Sequence, residues 1–160
     1  MVKNEYEYSF KVKKITPYIK YCEDRGYKKI EESFQTRILY TSNNKVLARI
    51  TTKKINDVSN TTIDFKDEDD SNKLLKISRE SIPLKINDED MSAIMSILDI
   101  LGYKKHKELV RKRCVYKKDD VIFEIDDYTQ PEITDVVAVE GKKEQVDSIY
   151  NDIKDIEKIE

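Results

Sequence analysis

From Glu5 to Lys13 the chain alternates strictly, with Tyr6, Tyr8, Phe10 and Val12 on one side and Glu5, Glu7, Ser9, Lys11 and Lys13 on the other. A period of two predicts a strand with two unlike faces. Thr16-Pro17 predicts a helix start, with Thr16 as the cap and Pro17 in the first turn, and Gly26 predicts its end. Met91, Ile94, Met95, Leu98 and Leu101 recur at the spacing of one helical face, which predicts a second helix capped by Asn87 or Asp88 and ended by Gly102. A third is predicted from about Lys143 to Ile156, with Val146, Ile149, Tyr150 and Ile153 on one side. The stretches 35–40, 46–55, 61–65, 74–84, 109–116, 121–128 and 136–140 read as strands. Hairpin turns are predicted at Asn43-Asn44, Asp67 to Asn72 and Lys117 to Asp120.

The pattern repeats. Gly26-Tyr27-Lys28-Lys29 recurs as Gly102-Tyr103-Lys104-Lys105, and the same interval then leads to an arginine (Arg37, Arg113) and a tyrosine (Tyr40, Tyr116). Each copy places a helix before the glycine and strands after it, VLARIT in one half and VIFEID in the other. Two β-α-β-β-β halves, about 1–80 and 81–160, imply an α+β fold with an eight-stranded, mainly antiparallel sheet and helices outside. At 160 residues the chain fits a single domain. Such a domain buries roughly 70% of its unfolded-chain surface.

Composition narrows the function. Charged residues make up 39% of the chain, yet 30 Lys+Arg stand against 32 Asp+Glu, for a net charge of -2. That balance argues against nucleic acid and membrane surfaces as partners, since both attract a basic excess. Ten Tyr, three Gly, three Pro and 38% hydrophobic residues are the composition of a folded chain. No stretch has the apolar length of a membrane-spanning helix, and the N-terminus lacks the apolar core of a signal peptide, so a cytoplasmic location is expected. Cys22 and Cys114 have no metal-type spacing and suggest no disulfide framework. His106 is the one histidine and sits in the Lys-rich YKKHKE stretch, which argues against a His-rich zinc site or a histidine-based nucleophile pair. The run Asp67-Glu68-Asp69-Asp70 reads as a solvated loop in preference to a calcium loop. A metal, if bound, would be a hard cation held by carboxylates.

Alternation also assigns faces to the charges. Arg111 and Arg113 oppose Val110, Cys114 and Tyr116; Arg49 and Lys53 oppose Val46, Ala48 and Ile50; Glu124 and Asp126 oppose Val121, Phe123 and Ile125. Lys66 shares a face with Asp64, and Arg79 one with Ser81. An ordinary open sheet with one solvated side accounts for this pattern. A closed barrel accounts for it too, because its charged faces would line a lumen and closure removes the exposed edges. Luminal arginines and lysines would bind a polyanion, and interspersed carboxylates would hold Mg²⁺ or Mn²⁺.

Several residues in order resemble the CYTH superfamily, the triphosphate tunnel metalloenzymes. They are the opening Glu5-x-Glu7 strand, the Arg49 strand VLARI, Leu-Gly-Tyr ahead of Arg111-x-Arg113, and FEIDDY…P…VAVEG. The superfamily includes class IV adenylate cyclases, thiamine triphosphatases and inorganic triphosphatases, and the resemblance spans nearly the whole chain. It implies an eight-stranded tunnel acting on a triphosphate-containing small molecule with Mg²⁺ or Mn²⁺. In that tunnel Glu5 and Glu7 would be catalytic and metal-binding, and Asp126 and Glu140 would be further metal positions. Arg49, Lys66, Arg79, Arg111 and Arg113 would be the phosphate-binding cations. The implied activity is triphosphate hydrolysis. ATP cyclisation, a degenerate domain that binds a polyanion without turnover, and a protein-interaction domain stand as alternatives, and a homodimer is left open. The chain departs from the family pattern at four places: Ser9 stands for the signature lysine, Thr51 for a second arginine, Ser81 for a common acidic residue and Ala138 for the first late glutamate.

Overall fold

The fold was analysed in a computed structural model that describes residues 4–68 and 74–159. In chain order the elements are β1 (Asn4–Val12), α1 (Thr16–Asp24), β2 (Lys28–Thr41), β3 (Val46–Ile55), β4 (Val58–Glu68), β5 (Leu75–Glu80) and β6 (Leu84–Ile86). They continue with α2 (Met91–Ile100), β7 (Lys104–Lys118), β8 (Val121–Gln130), β9 (Thr134–Gly141), α3 (Lys143–Ile153) and the short α4 (Ile156–Ile159). The strands run β3-β2-β7-β8-β9-β1-β5-β4, and β4 pairs back onto β3, so eight antiparallel strands close into a barrel. β6 lies beside the first half of β4, in line with β5. Closure settles the choice that alternation left open: one face of each barrel strand looks outward, partly covered by helices, and the other looks into a lumen.

The helices lie outside on two apolar clusters. Tyr18, Tyr21 and Cys22 of α1, with Val146 and Ile153 of α3, pack on Tyr116, Val121, Phe123, Ile125, Val137 and Val139. Leu98 of α2 packs on Tyr40, Ala48, Ile50, Ile63, Ile86 and Tyr103. Each Gly-Tyr repeat is a helix stop. Gly26 and Gly102 take positive φ, +79° and +81°. The following tyrosine amides donate back to Cys22 O and Leu98 O at 2.9 Å in both cases. This closes the orphan carbonyls of a helix end in a conformation that glycine adopts without steric cost.

Several boundaries differ from the sequence expectation. β2 and β7 extend well beyond 35–40 and 109–116, because the Lys- and Glu-rich ends of both strands are carried by their mutual pairing. The stretch 74–84 breaks into β5 and β6 at Ser81, whose amide and hydroxyl both bond the Phe65 backbone. Ile15, with no side-chain cap, precedes α1, and Thr16 is already helical. Asn87 caps a short 3-10 turn, in a reciprocal box with Asp90, ahead of α2. The third helix ends at Ile153, with α4 following. Of the acidic run, Asp69 and Asp70 fall outside the described residues, as does Asn72.

The two halves share one register. Arg37 faces Thr51 across β2–β3 as Arg113 faces Asp126 across β7–β8. Leu47 faces Lys66 across β3–β4 as Ile122 faces Glu140 across β8–β9. Glu80 faces Lys66 across β4–β5 as Glu7 faces Glu140 across β1–β9. These correspondences define an approximate two-fold axis that crosses the barrel wall at Gln35–Arg111 on one side and Glu5–Ser78 on the other.

Candidate functional site: a polarised lumen

The inward faces enclose a cavity of about 300 Å³ that is rich in charge of both signs. Its walls are not alike. Adjacent strands β8, β9 and β1 contribute Glu124, Glu140 and Glu7, while β3, β2 and β7 contribute Arg49, Arg37 and Arg111. β9 stands opposite β3 in the ring, so a carboxylate wall faces a guanidinium wall.

On the acidic wall, Glu7, Glu124 and Glu140 each present a carboxylate oxygen, and the three oxygens lie within 4.8 Å of one another. Burial pushes the Glu140 carboxyl well above the usual carboxylate range, and the negative charges of Glu124, Glu7 and Glu5 push it further. Glu124 moves the other way: burial opposes its charge, but Arg113, the hydrogen bond from Glu140, Arg111 and Arg37 hold it ionised below the usual range. Glu140 is therefore the proton donor in a carboxyl–carboxylate pair. A hard divalent cation takes carboxylate oxygens and keeps waters in its remaining positions, so it fits these three oxygens in place of the proton shared by Glu124 and Glu140.

Two of the luminal guanidiniums are fully engaged by carboxylates. Arg113 Nε and Nη2 donate to Asp126 at 2.7 and 2.8 Å, and its Nη1 donates to Glu124 at 2.6 Å. Arg49 makes a bidentate contact with Asp64 and reaches Glu80 at 3.3 Å, and Lys66 lies 3.7 Å from Glu80. The other two guanidiniums meet only neutral groups. Arg111 Nε and Nη2 donate to Gln35 Oε1 at 3.0 and 2.8 Å, and its Nη1 donates to Tyr128 Oη at 2.8 Å. Arg37 Nε donates to Thr51 Oγ1 at 2.8 Å. Burial pulls the Arg37 guanidinium down to about 9, with the charges of Arg111, Arg49 and Arg113 adding to the effect.

Of the residues singled out in the sequence, Glu7, Arg49, Lys66, Arg111, Arg113, Asp126 and Glu140 line this cavity together. Asp126 is there as the bidentate partner of Arg113, outside the three-carboxylate cluster. Glu5 sits on the same inward face of β1, opposite Ser78, and lines a neighbouring cavity with Glu140. Its carboxyl is raised, first by burial and then by Glu80. Arg79 corrects the expectation. The Glu5–Ser78 pairing turns Ser78 and Glu80 inward, so Arg79 points outward, largely exposed, and pairs with Asp67 at 2.7 Å. Glu80, Arg37, Gln35, Tyr128 and the role of Glu124 were not singled out as site residues. The alternation of β8 already put Glu124 inward, and the repeat already matched Arg37 with Arg113. Ser9 and Ala138 face each other across β1–β9, and both line the cavity.

The same barrel occurs in solved structures. The PH1012 protein of Pyrococcus horikoshii OT3 matches with TM-score 0.70 and 20% identity, over 95% of this chain and 88% of that one. A "putative adenylate cyclase" of Vibrio parahaemolyticus matches with TM-score 0.61 and 8% identity, over 98% and 86%. Another so described, from Bacillus halodurans, matches with TM-score 0.58 and 13% identity, over 94% and 88%. At these identities the likeness is one of fold. No protein-family model matches the chain, and no curated protein matches it. No helix among the described residues is long and apolar enough to cross a membrane.

Proposed function

We propose that the lumen binds a triphosphate together with a divalent cation, Mg²⁺ or Mn²⁺, and hydrolyses it in the manner of the CYTH superfamily. The observation that carries this reading is the three-carboxylate cluster of Glu7, Glu124 and Glu140 facing a wall of guanidiniums inside one closed barrel. Glu7, Glu124 and Glu140 would hold the cation, which supplies charge neutralisation at the phosphate and activation of water. Arg113 keeps Glu124 ionised and oriented. Arg111, whose partners are neutral, is placed to donate to phosphate oxygens, a geometry that suits a planar guanidinium. Glu5, with a raised carboxyl between Glu7 and Glu80, is a candidate proton acceptor beside the cluster.

Purified protein assayed with tripolyphosphate, ATP and thiamine triphosphate and Mg²⁺ or Mn²⁺ should release phosphate from at least one. Glu7→Ala should lower that rate by about 10²-fold or more, the scale of losing a group that acts on the reacting centre. Absence of turnover with every substrate, or a rate unchanged in Glu7→Ala, would refute the proposal. The fold shared with proteins described as adenylate cyclases favours one second reading, cyclisation of ATP. Cyclic AMP and pyrophosphate in place of ADP and phosphate would select it.

A further inference from the structure

The approximate two-fold axis pairs luminal positions of one half with positions of the other, and the halves have diverged in charge. Glu124 corresponds to Arg49, Glu140 to Lys66 and Glu7 to Glu80. The carboxylate cluster of one half thus has as its counterpart a set that neutralises itself, in which Glu80 contacts both Arg49 and Lys66. The arginine at the next position is kept in both halves, but its partner is not. Arg113 is neutralised by Asp126, whereas Arg37 meets Thr51 at the corresponding position, with the same cross-strand register. Arg37 lines the cavity, and among the described residues it makes no ion pair.

A half-buried guanidinium beside Arg111, Arg49 and Arg113, with no ion pair of its own and only the charge of Asp64 to offset theirs, is costly. Arg111 stands on the neighbouring strand, and among the described residues it too lacks a carboxylate partner. We propose that Arg37 and Arg111 form an anion subsite for a phosphate group, and that Thr51, in place of a counterpart to Asp126, keeps this subsite open. β2 lies across the ring from β1, so a phosphate chain held by Arg37 extends toward Glu7 and its neighbours. This inference takes its ligand class from the triphosphate reading, but it requires neither metal nor turnover.

The test is calorimetric titration of the intact protein with inorganic pyrophosphate in the presence of a chelator. Wild type should bind. Thr51→Asp recreates the Arg113–Asp126 arrangement and supplies an internal counter-ion without removing any cation. Its affinity should fall by about tenfold to a hundredfold, the weight of a charge-assisted contact, and its ligand-free melting temperature should be equal to or above wild type. Thr51→Asn, close in shape to that variant but uncharged, should bind within a few-fold of wild type. Arg37→Gln removes the same charge from the other side and should lose as much affinity as Thr51→Asp, which keeps the test decisive if the aspartate variant folds poorly. Wild-type affinity in Arg37→Gln, equal losses in the aspartate and asparagine variants, or no pyrophosphate binding by wild type would each overturn the inference. Chelator-insensitive pyrophosphate binding without metal-dependent turnover would instead leave the subsite standing and remove the hydrolytic reading.

Discussion

Arg113 holds two carboxylates on β8 at once, with three hydrogen bonds of 2.6–2.8 Å. Its side chain and that of Asp126 are 11% and 3% exposed, so neither charge has much recourse to water. Removing one partner of such a pair strands the other, which costs about 3–5 kcal/mol. Arg113→Met should therefore lower unfolding free energy by about that amount in a urea titration, a loss well beyond that of a surface ion pair. Lys11 with Glu132 gives the contrast. That bridge is as short, at 2.6 Å, but both side chains are more than half exposed, and Lys11→Met should shift stability by under about 1 kcal/mol. A change of less than about 1 kcal/mol in Arg113→Met would show that its carboxylates find water or another cation.

At the scale of elements, α2 is the helix whose attachment is simplest to test. Leu98 is 2% exposed on the barrel wall, while Ile100 is 85% exposed on the far side of the same helix. Leu98→Ala should cost about 2–5 kcal/mol and Ile100→Ala within about 0.5 kcal/mol, as thermal melts would read. Equal losses would mean that the helix is held by something other than this contact. The helical face was legible only in part: Met91, Ile94 and Leu98 turn toward the wall, whereas Met95 and Leu101, read onto the same face, are exposed. The inward face of most strands was legible, since a period of two leaves no choice once one residue is placed. The position of Arg79 was not, because β5 is short and its register is set by distant β1, which no local pattern reveals. Which arginines meet carboxylates was equally hidden: Arg49 and Arg113 look alike as sequence to Arg37 and Arg111, and cross-strand partners alone separate them. The closed barrel was legible only with the family resemblance, because an open sheet shows the same alternation.

For the whole molecule, the buried carboxyl pair links stability to pH. Glu140 is raised above its ordinary 4.5 in the folded chain, so folding favours its protonated form. Its contribution is fully present below that ordinary value and is lost as pH rises through the folded value. Glu124 has the opposite sign, and its contribution is lost on acidification below the ordinary range. Glu140 is the one of the pair that titrates above the ordinary carboxylate range, so in chelator the melting temperature should fall as pH rises above that range and through the folded value of Glu140. Glu140→Gln keeps a neutral donor toward Glu124 and should flatten that fall; an unchanged slope would place the titration elsewhere.

The closure of the ring also sets a schedule for synthesis. β1 sits between β5 and β9 and pairs with neither β2 nor β3, so the earliest-made strand of the barrel has no permanent neighbour until β5 is made. The last seam, β1 to β9, waits until Gly141 has emerged. Until then β1, β5, β4, β3, β2, β7 and β8 can pair only as an open sheet with bare edges at β1 and β8, the kind of surface that invites pairing with another chain. The nascent chain is thus most exposed to aggregation before its final strand arrives, and the residues that complete the carboxylate cluster are the ones that end that exposure.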